Sequence, residues 1–403
     1  MDNAFQMHVA KENSLRILIV VEPGVDGVFR HVEGLVDYLL RADAHVDLAF
    51  SSRRSGAGMQ RLVARVVAAG GEAVDLRVTN IPEGRDIRGF VRLLGLIRRV
   101  CPDIIHAHSS KAGGLVRTAA LFFREPRYYY TPHAYYGMAK RRTFRVRFFN
   151  WIEHLLGRVG ATIAISRDEA EFARCVLGVP AGHLHIVHNP VDSVRFSPAT
   201  FDQRRAARAA LGIPEKAVVL AMIGRMCWQK DPETAYAAVA AVCRQNPDLY
   251  FLHLGWGKWR QYLTEKGAQL GFASQLKILN YVDDPLAFYH AIDGLLISSR
   301  YEAGWALVFL EGLACNLPLI GATCLGMSDI GRAGLSHVWP FVPEDISSCT
   351  AAVQKWLTSY RAGIKQCNHR AFAVERLSPS RCFGAVFDLY RNKSRGLSVL
   401  PVE

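Results

Sequence analysis

A strand, a turn and a helix follow one another in LRILIVVEPGVDGVFRHVEGLVDYLL, residues 15–40. Apart from Arg16, the run Leu15–Val21 is apolar, as expected of a strand covered on both faces of a parallel sheet. Gly24–Gly27 then supplies a turn, and Phe29–Leu40 has apolar residues at the spacing of a helix that is buried on one side. The segment is typical of the first βα unit of a doubly wound α/β domain.

The same alternation runs through both halves of the chain. In the first half we predict further strands at 46–50, 73–76, 104–107, 128–131 and 161–164, with helices at 59–69 and 87–99. Pro190–Pro214 interrupts the pattern. It then resumes with strands at 218–223, 250–254, 276–279, 294–297 and 317–322, and helices at 232–245, 258–270, 285–291 and 306–315. This pattern predicts two Rossmann-like domains, with ligands bound in the cleft between them.

Composition excludes several classes of protein. The chain of 403 residues is 50% hydrophobic, which excludes a wholly disordered protein, and its 33 Gly and 17 Pro have no fibrous period. A net charge of +13 favours a polyanionic partner: nucleic acid, anionic lipid or a nucleoside diphosphate. A basic surface without a specific partner is the alternative. The nine cysteines are odd in number and form no CxxC, which indicates reduced thiols in a cytosolic protein.

No stretch of the sequence predicts a bilayer-spanning helix, because no window reaches about 18 uninterrupted apolar residues. The run at 17–21 is too short for the core of a signal peptide and is interpreted as a strand. We therefore expect a protein that is soluble or lies on a membrane surface.

Polar residues stand at two predicted helix starts in the first half. Gly27 precedes a helix whose free N–H groups favour an anion. In HAHSSKAGGLVRTAA (106–120), a second helix begins near Ser109, Ser110 and Lys111. These three either cap the helix or bind a substrate hydroxyl or phosphate.

A histidine stands at the end of the strand in YYYTPHAYYG, residues 128–137. His133 follows a proline in an aromatic setting, at the sheet edge where such folds bind ligands. A single histidine is more often structural, so both interpretations stay open.

Two loops of the second half have the chemistry of a nucleotide site. In IGRMCWQKDPETA (223–235), Arg225 and Lys230 suit a diphosphate, with solvated surface cations as the alternative. In SSRYEAGWALVFLEGLACNLPLIG (298–321), Glu302 lies in a loop and Glu311 in an apolar helix. A carboxylate in an apolar helix needs a partner, and a ribose diol would serve. The start of that helix would favour the diphosphate.

With these motifs the chain resembles the retaining glycosyltransferases of GT-B fold in family 4, over roughly Leu15 to Tyr390. The glycine loop, HAHSSKAG, YTPHAY, AIS (164–166), HNPVD (188–192), GRxxxxKD and the paired-glutamate segment occur in the family's order. The resemblance implies two Rossmann-like domains that face each other across a cleft. It implies an acceptor-binding domain at residues 1–195 and a nucleotide-sugar-binding domain at 196–375. Residues 376–403 are expected to form a C-terminal helix that packs back on the first domain, followed by a tail.

The resemblance also implies an activity and a set of site residues. The activity is transfer of a sugar from a nucleoside-diphosphate sugar, expected to be a UDP-sugar, to an acceptor hydroxyl with retained configuration. Neither a metal nor another cofactor is implied, and no DxD sequence occurs. The implied catalytic residues are His133, Glu302, Arg225 and Lys230. The donor-binding residues are Gly27, Arg225, Lys230, Tyr281, Val282, Trp305, Ala306, Leu307 and Glu311. The acceptor-side residues are His31, Ser109 and Lys111.

Two departures from the family pattern affect these assignments. Eight residues separate Glu302 from Glu311, where the family has seven, so a one-residue bulge or a shifted first glutamate is expected. The paired glycines of the family's first loop are replaced by Asp26-Gly27, which puts a carboxylate near the expected phosphate or acceptor site.

The segment KRRTFRVRFFNWIEHLLGR (140–158) combines cations with aromatic residues. It indicates a helix that lies on an anionic membrane, and a helix packed in the first domain with a solvated basic face is the alternative. With the family resemblance, it suggests a lipid-linked saccharide acceptor in bacterial surface polysaccharide synthesis. The expected location is the cytoplasm, at the inner face of the cytoplasmic membrane. No nucleic-acid partner is expected, because no RNA-binding motif accompanies the basic residues.

Rival functions stay open on the sequence. One is a related enzyme of the same fold, such as a sugar-nucleotide epimerase. Another is a protein that binds nucleotide sugars without catalysis, which the altered glutamate spacing makes plausible. A phosphorylase would need pyridoxal phosphate or a second phosphate site, and the sequence indicates neither.

Overall fold

The computed structural model describes residues 15–139, 143–282, 284–328, 330–363 and 367–392. The chain forms two compact units, one up to Asn189 together with the residues from Pro379 onward, the other Pro190–Ser378. Residues 190–195, expected to end the first domain, and residues 376–378, expected to begin the C-terminal helix, thus belong to the second unit.

The first unit is built on a seven-stranded parallel sheet with the order β3-β2-β1-β4-β5-β6-β7. Its strands are β1 (Arg16–Val21), β2 (His45–Phe50), β3 (Ala73–Asp75), β4 (Ile104–His108), β5 (Arg127–Thr131), β6 (Ala161–Ala164) and β7 (Leu184–Ile186). Its helices are α1 (Asp26–Arg41), α2 (Ala57–Ala68), α3 (Asp86–Val100), α4 (Ser110–Ala119), α5 (Phe144–Leu156) and α6 (Arg167–Cys175).

The second unit has a six-stranded parallel sheet with the order β10-β9-β8-β11-β12-β13. Its strands are β8 (Val218–Ile223), β9 (Leu249–Gly255), β10 (Leu276–Asn280), β11 (Gly294–Ile297), β12 (Leu319–Ala322) and β13 (Val338–Phe341). Its helices are α7 (Phe201–Ala210), α8 (Pro232–Cys243), α9 (Arg260–Gln269), α10 (Leu286–Ala291), α11 (Leu307–Ala314), α12 (Ile346–Arg361) and α13 (His369–Arg376). The two parallel sheets with their alternating helices confirm the predicted pair of Rossmann-like domains.

The central strands of both sheets are buried on both faces. Every residue of β8 is buried, and in β1 the same holds from Ile17 onward. Continuous apolar runs therefore predicted these strands well. Two edge strands were missed, because β7 has only three residues and β13 contains Pro340, which is tolerated at a sheet edge but masks the strand pattern.

Helix α1 begins earlier than the sequence predicted. It starts at Asp26, so the prediction of a turn through Gly27 followed by a helix from Phe29 is wrong. Asp26 has a left-handed backbone, with φ of 61°. Glycine adopts that conformation at the least cost and aspartate tolerates it, which explains how Asp26 can replace one of the family's paired glycines.

The C-terminal helix α14 (Pro379–Arg391) completes the first unit by packing on α1. The ring of Phe383 lies against Gly34, where an added Cβ would come within 3.0 Å of it. Tyr390 is fully buried, and the Tyr129 hydroxyl donates to the Leu389 carbonyl at 2.6 Å. The helix thus covers one face of the first sheet.

Within the described residues, none of the helices combines the length and the apolarity needed to cross a bilayer. All nine cysteines lie in the described ranges, and each is a free thiol.

Two adjacent glycines of α4 offer a matched test of the packing. An added Cβ at Gly113 would lie 2.3 Å from a ring carbon of the buried Tyr130, whereas at Gly114 it would meet nothing within 4 Å. Gly113→Ala should therefore lower the free energy of unfolding by about 1–3 kcal/mol through overpacking. Gly114→Ala should raise it by up to about 1 kcal/mol through helix propensity. Urea denaturation measures both, and equal effects would contradict the packing of Tyr130 on α4.

Candidate functional site

In the first unit, histidines meet at the carboxyl ends of neighbouring strands. β1, β4 and β5 are adjacent in the sheet, and they lead to His31 in α1, to His108 at the end of β4 and to His133 after β5. His108 Nδ1 lies 3.1 Å from His133 Nε2, and the rings of His31 and His133 are 4.7 Å apart. The structure thus brings together two predicted site residues, His31 and His133, with His108, to which the sequence analysis gave no role.

The signal for His108 was present in the sequence as the HAH pattern. Residues two apart on a strand point to the same face, and the rings of His106 and His108 are 4.0 Å apart. His106 is held by the Tyr390 hydroxyl and by Thr131 Oγ1. Protein groups therefore occupy both ring nitrogens of His106, and its ring supports that of His108.

Burial keeps these histidines neutral at neutral pH. Loss of water lowers the pKa of His31 to about 4, although its hydrogen bond with Asn189 opposes the shift. Burial also lowers the pKa values of His106, His108 and His133 well below the usual range, and their neighbouring imidazoles add to the effect. Neutral imidazoles can accept a hydrogen bond or a metal ion through one ring nitrogen.

The His133 loop has a strained backbone that a buried carboxylate holds in place. His133 and Ala134 have φ values of 54° and 87°. Glu169 accepts hydrogen bonds from the Ala134 and Ile165 N–H groups, each at 2.8 Å. Burial raises the pKa of Glu169 to about 7 against the effect of these two donors. Such strain persists only where the surroundings hold it.

Ser109 and Lys111 differ in how far their polar groups are satisfied. Ser109 precedes α4 with φ of 87° and does not cap it, and its buried Oγ has no hydrogen-bond partner among the residues that the structure describes. This favours ligand binding over capping for Ser109. Lys111 is paired with Asp86 at 2.5 Å and donates to the Ile81 carbonyl at 3.1 Å.

A pocket of about 610 Å³ lies beside these residues, within the first unit. Its polar lining includes Ser109, Lys111 and His133. Its apolar lining, which is the larger part, includes Phe90, Leu115, Phe149 and Ile152 from α3, α4 and α5. Gly27 does not line it; this residue is exposed in the first turn of α1. The pocket can take a ligand that is largely apolar and carries a few polar groups.

In the second unit, two catalytic candidates meet at the ends of adjacent strands. β8 and β11 pair in parallel, so the loops that follow them start at the same sheet edge. There the Lys230 ammonium pairs with the Glu302 carboxylate, and Ser299 Oγ donates to the same Glu302 oxygen at 2.5 Å. Glu302 is 8% exposed. In this structure Glu302 pairs with Lys230, so a donor sugar that binds Glu302 would share the carboxylate with Lys230.

Arg225 has a neutral partner. Its guanidinium donates to Gln229 Oε1 at 3.0 Å, and Gln229 in turn donates to the Tyr301 carbonyl at 3.2 Å. No carboxylate of the described residues forms an ion pair with Arg225. The positive charge of this half-buried side chain is thus available to an anion.

Residues that the sequence analysis did not assign hold these loops. Arg300 pairs with Asp231 at 2.8 Å and lies over the Trp228 ring, and Ser298 Oγ donates to the Lys230 and Asp231 carbonyls. His253 lies fully buried beneath the loop, with Nε2 3.3 Å from the Gly224 carbonyl. These contacts join residues far apart in the chain, so no local pattern indicates them.

The segment after Glu302 contains a buried carboxylate and a turn that requires glycine. Gly326 has φ of 91°, and a Cβ there would lie 2.1 Å from the Glu302 carbonyl, so only glycine fits. Glu311 is 2% exposed and accepts a hydrogen bond from the Tyr289 hydroxyl at 2.6 Å. The Glu311 carboxylate therefore has a protein partner, in addition to the ribose that the sequence suggests.

The remaining donor-side candidates lie in different settings. The Trp305 side chain packs against Phe309 and Phe372 in the core, so only its backbone can face a ligand. Helix α11 begins at Leu307, after Ala306, whose side chain cannot cap it. Two further candidates follow β10, which β9 separates from β8: the partly exposed Tyr281 and Val282.

The buried His253 gives a pH dependence with a definite sign. Burial lowers its pKa to about 4, whereas an unfolded histidine titrates near 6.5. Between these values the unfolded chain binds a proton that the folded chain does not, so stability falls as the pH is lowered from about 6.5 to about 4. The contribution is about 3 kcal/mol. Denaturation of wild type and His253→Gln across this range should show a flatter dependence in the variant.

The control is His154→Gln, which changes an exposed histidine of α5. It should leave the pH dependence as in wild type. Identical pH dependence in wild type and His253→Gln would contradict a neutral, buried His253.

Family models match both units. The model for Glycosyltransferase Family 4 matches residues 25–195, and the model for Glycosyl transferases group 1 matches residues 203–371.

Curated relatives are similar over part of their length. The UDP-Gal:alpha-D-GlcNAc-diphosphoundecaprenol alpha-1,3-galactosyltransferase of Escherichia coli is 27% identical over 256 residues, which cover 61% of this chain and 65% of that enzyme. The chain therefore spans slightly less than two thirds of this relative. A D-inositol 3-phosphate glycosyltransferase of Streptomyces bingchenggensis is 26% identical over 314 residues, covering 73% of this chain and 67% of the relative.

Solved structures share the fold at low identity. HepE of Anabaena, solved in complex with UDP-glucose, superposes with a TM-score of 0.77 at 17% identity, covering 94% of this chain and 99% of HepE. A glycosyltransferase from Rickettsia africae gives a TM-score of 0.76 at 16% identity, covering 94% of this chain and 98% of that one.

Proposed function

Because the chain belongs to the family 4 glycosyltransferases of GT-B fold, we propose that it transfers a hexose from a nucleoside-diphosphate sugar to an acceptor hydroxyl, with retained configuration. The second unit binds the donor and the first unit binds the acceptor. The observation that carries the proposal is the meeting of Lys230 and Glu302 at the carboxyl ends of β8 and β11, with Arg225 on the same loop as Lys230.

The donor site follows from the charges at this edge. Departure of the diphosphate creates negative charge, which Arg225, Lys230 and the N-terminus of α11 stabilise without a metal ion or another cofactor. The backbone from Trp305 to Leu307 lies near the phosphates. Hydroxyls of the sugar bind Glu302, which frees Lys230 to turn toward the diphosphate. The acceptor oxygen attacks on the face that the diphosphate leaves and gives its proton to a diphosphate oxygen.

Other predicted residues complete the proposed donor complex. Glu311 binds the ribose beside Tyr289, and Tyr281 and Val282 lie on the base side. Gly27 and His133 are assigned to the donor sugar on the family resemblance alone. The donor is a UDP-sugar. In support, the similar E. coli enzyme is named for UDP-Gal, and the Anabaena structure contains UDP-glucose.

The acceptor is proposed to be a lipid-linked saccharide of bacterial surface polysaccharide synthesis. The pocket of the first unit supports this, because Ser109, Lys111 and His133 offer polar contacts beside a largely apolar wall. His31 lies against His133 and positions it. The E. coli relative is named for an acceptor of this kind, a diphosphoundecaprenol-linked sugar.

Helix α5 supports a peripheral location at the inner face of the cytoplasmic membrane. Phe144, Phe148, Trp151 and Leu155 are exposed and recur at the spacing of one helix face, while Val146 and Glu153 face the unit. Arg145 and Arg147 are also exposed. An apolar face flanked by cations matches an anionic membrane surface. The rest of the predicted basic run, Lys140–Arg142, lies outside the described residues.

The rival functions are separated by one assay design. The protein is incubated with UDP-sugars, first without an acceptor and then with lipid-linked saccharides. Transfer to an acceptor supports the proposal. Conversion of the donor to its epimer without an acceptor indicates an epimerase. Donor binding without turnover across the acceptors indicates a binding protein.

Removing the charge of Arg225 tests the donor site. Arg225→Gln should lower kcat/KM by about 100-fold or more, because a preorganised charge at the transition state is lost. The melting temperature should change little, since the partner Gln229 is neutral. Arg205→Gln, a change on the exposed surface of α7, should have wild-type kinetics. Wild-type kcat/KM in Arg225→Gln would contradict the proposed role.

The membrane face is tested by sedimentation with lipid vesicles. Phe148→Ser with Trp151→Ser should reduce binding to anionic vesicles several-fold, because each exposed aromatic residue contributes buried apolar area. Phe201→Ser, at an exposed phenylalanine of α7, is the matched control and should bind as wild type. If the α5 changes leave vesicle binding unchanged, helix α5 is a solvated surface helix and not a membrane-binding one.

A further inference from the structure

Three imidazoles converge in the first unit with the spacing of a metal site. His31, His108 and His133 each offer one nitrogen, and these three atoms lie within 4.8 Å of one another. A tetrahedral zinc site with Zn–N bonds near 2.0–2.1 Å needs nitrogens about 3.3 Å apart. His108 Nδ1 and His133 Nε2, 3.1 Å apart, are already near that separation.

The hydrogen bonding around the three rings leaves lone pairs for an ion. His31 Nδ1 lies 2.9 Å from Asn189 Oδ1, and because an amide oxygen only accepts, Nδ1 carries the proton and Nε2 has the lone pair. A ligating histidine is held in this way by a second hydrogen-bonding group in most metal sites.

His108 can ligate through Nδ1, the nitrogen that faces His133 Nε2. Its residue is fully buried, and Nε2 has no hydrogen-bond partner among the residues that the structure describes. Coordination through Nδ1 would therefore place the ring proton on Nε2, where it stays unpaired.

We infer that His31, His108 and His133 form a binding site for a divalent transition-metal ion, Zn²⁺ above all. Three imidazoles without a carboxylate suit zinc, copper, nickel or cobalt rather than magnesium or calcium. His133 is only partly buried and lines the 610 Å³ pocket, which gives the ion a route in and an open fourth position for water. The proposed transfer uses no metal, although the metal site shares His31 and His133 with the proposed transferase site.

Binding is measured on the untagged full chain, treated with EDTA and titrated with Co²⁺ by visible absorption and with Zn²⁺ by calorimetry. We expect one equivalent of either ion to bind, and Mg²⁺ not to bind. His31→Asn, His108→Asn and His133→Asn should each weaken binding by about 100-fold or more. Asn189→Ala should weaken it by about 10-fold, as expected for a group that orients a ligand.

Two control variants test whether the metal ion binds to residues outside the proposed site. His154→Gln should bind as wild type. Cys101→Ser with Cys175→Ser, which removes the two exposed thiols, should also have no effect. The Co²⁺ spectrum of the wild type tests the ligands without a variant, because thiolate ligation adds an intense near-ultraviolet band and imidazole ligation does not.

The site is refuted if wild type does not bind Zn²⁺ or Co²⁺, if binding survives His133→Asn, or if the thiolate band appears. Circular dichroism checks that each variant is folded. If a variant does not fold, the Co²⁺ absorption spectrum of the wild type shows whether the ligands are imidazoles or thiolates. None of these measurements uses a nucleotide sugar, so their failure is distinct from failure of the proposed transferase function.

Discussion

The ion pair between Lys230 and Glu302 is the contact on which the second unit's site depends. It forms because β8 and β11 are parallel neighbours, so the loops after them leave the sheet side by side. Both side chains are largely buried, and removing one partner of such a pair typically costs about 3–5 kcal/mol. The pair therefore keeps both loops in place, and in the proposed donor complex the diphosphate takes Lys230 and the sugar takes Glu302.

The histidine cluster of the first unit differs from this site, because burial keeps its imidazoles neutral. His31, His108 and His133 are packed together in their neutral form, and Glu169 holds the strained backbone after β5. A site of this kind binds polar groups without a strong preference for anions. The contrast with Arg225 and Lys230 agrees with the proposal that the second unit receives the charged donor and the first unit the acceptor hydroxyl.

The sequence predicted the parts of the fold that have local signals. Apolar runs predicted the central strands, and the motifs after them indicated His133, Lys230 and Glu302. The analysis missed β7 and β13, whose short or proline-containing strands have no clear pattern, and the start of α1, because a left-handed aspartate replaces a glycine. It also missed the supports His253, Glu169 and Arg300, whose roles arise from contacts between distant segments that only the folded chain reveals.

Hydrogen–deuterium exchange with and without UDP tests most directly whether the cations of the second unit bind a diphosphate. The account predicts that UDP slows backbone exchange in two segments, 224–231 after β8 and 298–308 from the end of β11 into α11, because these would enclose the phosphates. Unchanged exchange in both segments at a UDP concentration that saturates the protein would contradict it.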